Sequence, residues 1–372
     1  MKLLRVKAKH FKNCANDFII DLAAKSRKTA EDKEYELQEI APDLHVYNIM
    51  AFIGKNASGK TSAIELLDAC YSILGEFRLE EKHFAYEGIE LEIIFYNEGN
   101  IYKYEVQLGA DSLPGNKAVF KNEHIFWKPY YKTNVKEIYD MESFMELTDL
   151  GDLPEDTSNI FFVLKKKQTR AIYFDSFENG ADTYQLMFKA LKNYDIDIAV
   201  LANIMRIFDD NIESLQKLDG HNYRLVFNGE EKNLSDTQLV YMLSSGTTKG
   251  LLLYTLMAAS LKEGFDLLID EVENHFHKTL VENMISLYKD KNVNRHNATL
   301  IFTTHYCEVL DQMGRQDNIW ICKSGKHVSL SNMYVDYQIR PELLKSRQYY
   351  NNAFQTAVNY EELMGLKRKL RK

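Results

Sequence analysis

The 372-residue chain has only four cysteines, Cys14, Cys70, Cys307 and Cys322, far apart and with no CxxC pair. Zinc sites and disulfide frameworks need closer or more regular spacing, so these read as reduced thiols filling small apolar positions. No run of about 18 uncharged apolar residues occurs, which argues against a membrane-spanning helix. The first residues, Met1-Lys2-Leu3-Leu4-Arg5-Val6-Lys7, alternate like a strand and lack the apolar stretch and cleavage site of a signal peptide. A cytoplasmic protein with no membrane partner is expected. Positive charge is not in excess either. The formal net charge of −8 opposes a surface that holds nucleic acid by bulk electrostatics, though not a local basic channel. Two basic runs stand out, Lys165-Lys166-Lys167 and the tail from Lys367 to Lys372. Internal repeats, low-complexity tracts and long heptad runs are missing.

What is present reads as a globular α/β chain, 45% hydrophobic and 27% charged. Its length exceeds the usual single core, so one large or two joined lobes are expected. Strands are expected within 1–22 and over 46–53, with a helix after 60 that turns Ile64, Leu67 and Leu74 to one face. From 88 to 131 two alternating segments flank Asn97-Glu98-Gly99-Asn100, a hairpin signal, and a third strand follows. The stretch 132–180 is the least readable. Helical spacing returns over 183–218, followed by a strand at 223–227. Helices at 249–262, 277–289 and 306–313 then alternate with strands at 265–270, 298–303 and 318–323, the pattern of a parallel sheet. The expected divisions are an N-terminal lobe (1–87), a β-meander (88–131), a helical, variable lobe (132–240), a C-terminal lobe (241–330) and a helical tail (331–372).

Four segments carry chemistry. Gly54-Lys55-Asn56-Ala57-Ser58-Gly59-Lys60-Thr61 matches G-x-x-x-x-G-K-[ST] after a strand and before a helix, and Ser62 follows it. Such a loop points backbone N–H groups at phosphate oxygens, Lys60 would neutralise β/γ-phosphate charge, and Thr61 would take a place on Mg²⁺. Phe265-Asp266-Leu267-Leu268-Ile269-Asp270-Glu271 is an apolar strand ending in two carboxylates, which at the edge of a parallel sheet face the ligand crevice. Asp270 would serve the Mg²⁺ shell, and Glu271 could polarise an attacking water. Ser244-Ser245-Gly246 opens a helix, an anion-binding geometry that an ordinary serine cap explains equally well. Thr299-Leu300-Ile301-Phe302-Thr303-Thr304 is a further strand, ending before His305, whose neutral imidazole could meet a water or the γ-phosphate.

In this order, "GKNASGKT", "LSSGTTKG", "LLIDEVENHFH" and "LIFTTHY" resemble the ABC-type ATPase heads. More narrowly they are similar to the AAA/ABC ATPases of the RecF, SMC and OLD group, often described as abortive-infection or anti-phage ATPases. The resemblance implies a P-loop NTPase head with a parallel core sheet, an antiparallel β-meander lobe and a helical lobe. It implies ATP and Mg²⁺ bound between two heads, Ser244, Ser245 and Gly246 meeting the partner's γ-phosphate, Glu271 as general base and His305 as γ-phosphate sensor. A head-to-head homodimer or larger assembly follows, acting on a separate effector such as a nuclease or toxin. Fewer than about 70 residues follow His305, too short for the nuclease domain of OLD enzymes on usual domain sizes. Ser245 stands where transporters carry a glycine. The glutamine usual in the lobe after the phosphate loop has only Gln107 and Gln168 as candidates. Glu273, His275 and His277 resemble the Glu-Asn-x-x-His run of the OLD-like group, and the two histidines supply only part of a metal shell. The alternatives are a RecF- or SMC-like DNA-repair ATPase touching nucleic acid directly, a nucleotide-bound scaffold with little turnover and, remotely, a small-molecule kinase.

Overall fold

The computed structural model describes the chain except residues 29–34, 111–115, 176–189, 191, 192, 195, 220, 221, 243, 244, 275, 338, 341, 356–359, 371 and 372. The first strand, β1 (Lys2–Lys9), buries Leu4, Val6 and Ala8 in alternation with partly exposed Arg5, Lys7 and Lys9, and β2 (Phe18–Asp21) returns antiparallel to it. A ribbon of β3 (Leu37–Ala41) and β4 (Leu44–Tyr47) leads into β5 (Ile49–Ile53), whose residues are all buried. A run without polar alternation marks a strand covered on both faces. After the glycine-containing loop comes α1 (Lys60–Glu76).

The hairpin forms where expected, from β6 (Glu90–Asn97) and β7 (Asn100–Ala110). Its turn residues, Glu98 and Gly99, have φ of 47° and 85°, the type I′ geometry that suits right-twisted strands. The meander continues through β8 (Ala118–Pro129) and the short β9 (Met145–Glu146). Then comes β10 (Ala171–Phe174), a core strand hidden in the stretch that sequence left unread.

Of the helical pattern expected over 183–218, residues 183–189 lie outside the described residues, and α2 (Ile198–Phe208) is a helix. The end of that stretch is instead β11 (Ile212–Asp219), followed by β12 (Asn222–Phe227) and β13 (Glu230–Ser235) in a three-stranded antiparallel sheet. Ile212 and Leu215 are both buried although three residues apart, because the pairing to β12 shifts register between Ile212 and Ser214. A bulge of this kind lets a strand imitate helical spacing. The rest alternates as expected: α3 (Ser245–Glu263), β14 (Asp266–Ile269), α4 (Lys278–Tyr288), β15 (Leu300–Thr304), β16 (Ile319–Lys323), β17 (Ser329–Asn332), α5 (Lys345–Tyr350) and α6 (Tyr360–Leu370). A 3₁₀ turn, Cys307–Gln312, replaces the helix expected over 306–313. No helix among the described residues is long and apolar enough to cross a membrane.

Two six-stranded sheets organise these elements. One has the order β2-β1-β6-β7-β8-β9 and is antiparallel throughout; the other has the order β10-β14-β15-β5-β16-β17 and is parallel up to its last pair. Helix α1 fills the space between them, with 12 of its 17 residues buried. Alternation along β5 divides the core: Met50 and Phe52 join α1 and the antiparallel sheet, whereas Ile49, Ala51 and Ile53 join α2, α3 and α4 on the opposite face. The result is a parallel α/β core with a meander lobe on one side and a helical layer on the other.

Candidate functional site

The loop from Gly54 to Gly59 leaves the carboxyl end of β5, and its conformation demands its residues. A Cβ on Gly54 would stand 2.4 Å from Ser58 Oγ and 2.6 Å from the Cys322 carbonyl oxygen, and one on Gly59 (φ 93°) would stand 2.2 Å from a Val328 methyl. Ala57 at the exposed tip also has positive φ, 57°. Gly59 caps α1 without a side chain, and no acidic residue occupies the first helical turn. The leading N–H groups of α1 and the positive end of its dipole therefore face the loop with no carboxylate from the helix's own first turn.

Lys60 is buried, and its Nζ donates to the Gly54 and Lys55 carbonyl oxygens at 3.3 and 3.4 Å and to His305 Nε2 at 2.9 Å. None of these partners carries a negative charge, and burial pulls the ammonium below its ordinary pKa. Thr61 donates its hydroxyl to Asp270 Oδ2 at 2.7 Å, and Thr303 donates to Asp270 Oδ1 at 2.6 Å. Asp270 is fully buried at the end of β14; burial raises its pKa, and the two threonine hydrogen bonds oppose that rise. Thr303 also accepts the Glu271 N–H at 2.7 Å, which holds Glu271 in a left-handed conformation (φ 47°). A glutamate with positive φ carries a steric cost and persists only where its surroundings impose it. Asn274 donates to Glu271 Oε2 at 2.6 Å, leaving Oε1 3.9 Å from His305 Nε2. Glu273 in turn accepts the His305 N–H at 2.5 Å. Burial and then the Lys60 charge push the His305 imidazole below its ordinary pKa, so it is neutral near pH 7.

A model of the family described as "AAA domain, putative AbiEii toxin, Type IV TA system" matches residues 49–311, a span that holds every part of this cluster. The chain belongs to this AAA family. No curated protein matches it. Among solved structures it is similar to "Crystal structure of the SmcHead bound to the C-winged helix domain of ScpA", with 12% identity over 90% of this chain and 98% of that chain and a TM-score of 0.47. It is also similar to "An inward-facing conformation of a putative metal-chelate type ABC transporter", with 10% identity over 90% of this chain and 84% of that chain and a TM-score of 0.33. The fold of this AAA protein is mixed α/β, with the glycine loop carried by the parallel sheet.

The donor set of the AAA site fits a triphosphate and a hard divalent cation. A buried ammonium hydrogen-bonded only to neutral groups calls for an anion, and a hydroxyl beside a carboxylate is the small protein contribution that Mg²⁺ takes when phosphates complete its shell. Ser58 Oγ, buried in the loop, has no hydrogen-bond partner among the described residues. No cluster of three or more His, Cys, Asp or Glu suited to hold a metal occurs among the described residues. His277 accepts from Thr279 N at 3.5 Å as the N-cap of α4, and His275 lies outside the described residues.

The residues expected at the site fall into two groups. Gly54, Lys55, Asn56, Ala57, Ser58, Gly59, Lys60, Thr61 and Ser62 form the loop and the start of α1, and Asp270, Glu271 and His305 converge on its Lys60–Thr61 end. Ser244 lies outside the described residues, while Ser245 and Gly246 begin α3. Because α3 runs back into β14, its N-terminus points toward the carboxyl edge of the sheet, where the loop lies. Neither glutamine candidate sits at the site. Gln107 accepts from Asn122 on the meander. The Gln168 N–H binds Gly75 O, 15 residues along α1 from Lys60 and so about 22 Å away.

Thr303 and Asn274 escaped the sequence reading because their role depends on long-range geometry. So did Asp175. Phe174 pairs with Ile269, and Asp270 N donates to Phe174 O at 3.1 Å, so Asp175 stands beside Asp270 at the same sheet edge. Its charge adds to the rise in the Asp270 pKa. A short apolar run ending in a carboxylate, like the one before Asp270, was the available signal. Asp175→Asn is expected to raise the Mg²⁺ concentration for half-maximal nucleotide turnover about tenfold, as outer carboxylates of metal sites do, with little change in kcat. An unchanged Mg²⁺ titration would assign Asp175 no part in the metal environment.

Proposed function

We propose that the protein is an Mg²⁺-dependent ATPase whose site is completed by a second copy of the chain, serving as the sensor, motor or scaffold subunit of a prokaryotic anti-phage system with a separate effector. The observation that carries this reading is the Glu271 carboxylate. It is strained at the backbone, clamped through one oxygen by Asn274, and directed with the other toward the His305 side of the Lys60–Thr61 cluster. Its side chain is 28% exposed, so water can reach it. A P-loop that only gripped phosphate would need no such group.

In this reading the loop N–H groups and Lys60 bind and orient the phosphates, with the Lys60 charge exchanging neutral acceptors for phosphate oxygens. Thr61 and Asp270 would hold Mg²⁺, which when bound offsets phosphate charge. Glu271 accepts the proton of the attacking water. His305, neutral and held by Glu273, donates or accepts at the γ-phosphate. The signature at Ser244, Ser245 and Gly246 closes over the partner's nucleotide, as the family resemblance implies.

Native mass spectrometry tests the composite site. A dimer is expected with ATP and Mg²⁺ and not without them, and Ser244→Arg is expected to abolish it while each protomer still binds one nucleotide. An ATP-independent oligomer, or dimers unaffected by Ser244→Arg, would remove the cross-subunit arrangement.

A further inference from the structure

At the opposite edge of the parallel sheet from the phosphate loop, a groove of about 580 Å³ opens between α2, α3, α4 and the loop before β15. Its lining is mainly apolar, with Asn203, Asn283 and Asn292 among it. Helix α2 buries Leu201, Ala202, Ile204 and Met205 in the core, yet Val200 and Ile207, which flank Ile204 along the groove, are 41% and 47% exposed. The apolar face of the helix therefore extends past its core contact onto the groove. Met257 and Leu261 of α3 form the floor, and Val293, 39% exposed, forms the far wall.

The rim is rigid. Buried Asn294 donates to the Tyr288 and Ala298 carbonyl oxygens at 3.1 and 2.8 Å and accepts the Ala298 N–H at 2.8 Å. The same loop rests on Gly264, where a Cβ would lie 2.5 Å from the His296 carbonyl oxygen. The charged residues among those described lining the groove, Lys262 and Arg295, are both cations, on a chain whose net charge is −8.

We propose that this groove docks an amphipathic helix with acidic flanks, belonging to a partner protein. A preformed apolar trough beside a helix of 11 residues, about 16 Å long, fits two to three turns of a partner helix read through i, i+3/i+4 and i+7 anchors. The cations select acidic flanks and steer the encounter. The chain's own C-terminal helix α6 is a poor occupant, since Lys367, Arg368 and Lys369 in its last turn repeat the sign of the rim. The proposal is independent of the nucleotide reading, but the two sites share a part. The floor belongs to the C-terminal half of α3, a 19-residue rod that starts at Ser245 and Gly246.

The test uses the full chain and a phage-displayed library of helical peptides with randomised faces. Selected helices are expected to carry apolar residues at i, i+3/i+4 and i+7 between Asp and Glu. As synthetic peptides in fluorescence anisotropy they are expected to lose affinity about tenfold or more with Ile207→Glu, and separately with Arg295→Glu. Both positions are exposed, and circular dichroism and Tm establish that each variant is folded. Val200→Glu serves if Ile207→Glu is not. Enrichment of basic helices, no enrichment, or binding indifferent to these substitutions would overturn the proposal. So would a shift in sedimentation of the nucleotide-free protein with Ile207→Glu, which would make the groove a contact between copies, or new peptide binding on deleting residues 360–372, which would make α6 its occupant.

Discussion

Glu271→Gln is expected to lower ATP turnover by about two to three orders of magnitude while ATP-dependent dimers persist. The substitution is chosen because the structure lets it separate basicity from shape. Asn274 donates to Glu271 Oε2, and a glutamine oxygen accepts that hydrogen bond equally well. The backbone clamp from Glu271 N to Thr303 Oγ1 does not involve the side chain. Position and volume are therefore kept, and only the capacity to take a proton is removed. Phosphate release per bound nucleotide, measured with native mass spectrometry on the same sample, checks both halves. Turnover within a factor of about two of the wild type would end the general-base assignment. Loss of the dimer as well would mean that the carboxylate acts in closing the two heads.

Lys60→Met is expected to weaken nucleotide binding by about two orders of magnitude, ~3 kcal/mol, the scale of removing one partner from a buried charge pair. The same change is expected to raise the Tm of the nucleotide-free protein. The ammonium is buried against two carbonyls and an imidazole, and the charges of Glu271, Glu273 and Asp270 offset its desolvation only in part, a cost that a thioether of similar length avoids. Opposite signs for binding and stability are the diagnostic result; a fall in both would make Lys60 a structural residue. His305 supplies a third readout. Its pKa is lowered first by burial and then by Lys60, so the His305 NMR titration should move part of the way back toward the ordinary value. The sign for stability follows from linkage. The folded imidazole binds a proton less readily than the unfolded one, so His305 favours unfolding as pH falls through and below about 6.5. That acid loss should shrink in Lys60→Met.

Much of the architecture is written in local pattern. The glycine loop, the fully apolar β5 and largely apolar β14, β15 and β16, and the turn at Glu98-Gly99 each follow from residues within a few positions of one another. The parts that escaped depend on partners elsewhere in the chain. Strand β10 has four residues, and nothing within it distinguishes a sheet edge from a loop until β14 lies beside it. The bulge between Ile212 and Ser214 is a property of the pairing with β12, so spacing alone gave the wrong period. At the site, Lys60 was legible from the glycine-loop motif, and Asp270 and His305 as types at strand ends. Thr303 was not, because its work is to bridge Asp270 and the Glu271 backbone across two strands. Asp175 needed the register of β10 for the same reason.

The phosphate loop is mounted on a helix with no soft side. With α1 packed against the parallel sheet on one side and the antiparallel sheet on the other, the loop cannot recoil when ligand arrives, and work done on it has nowhere to go locally. The layer of α2 and α3 lies on the other face of the parallel sheet and packs also on β11 and β12, so the loop's brace and the helix that begins at Ser245 and Gly246 belong to opposite sides of one sheet.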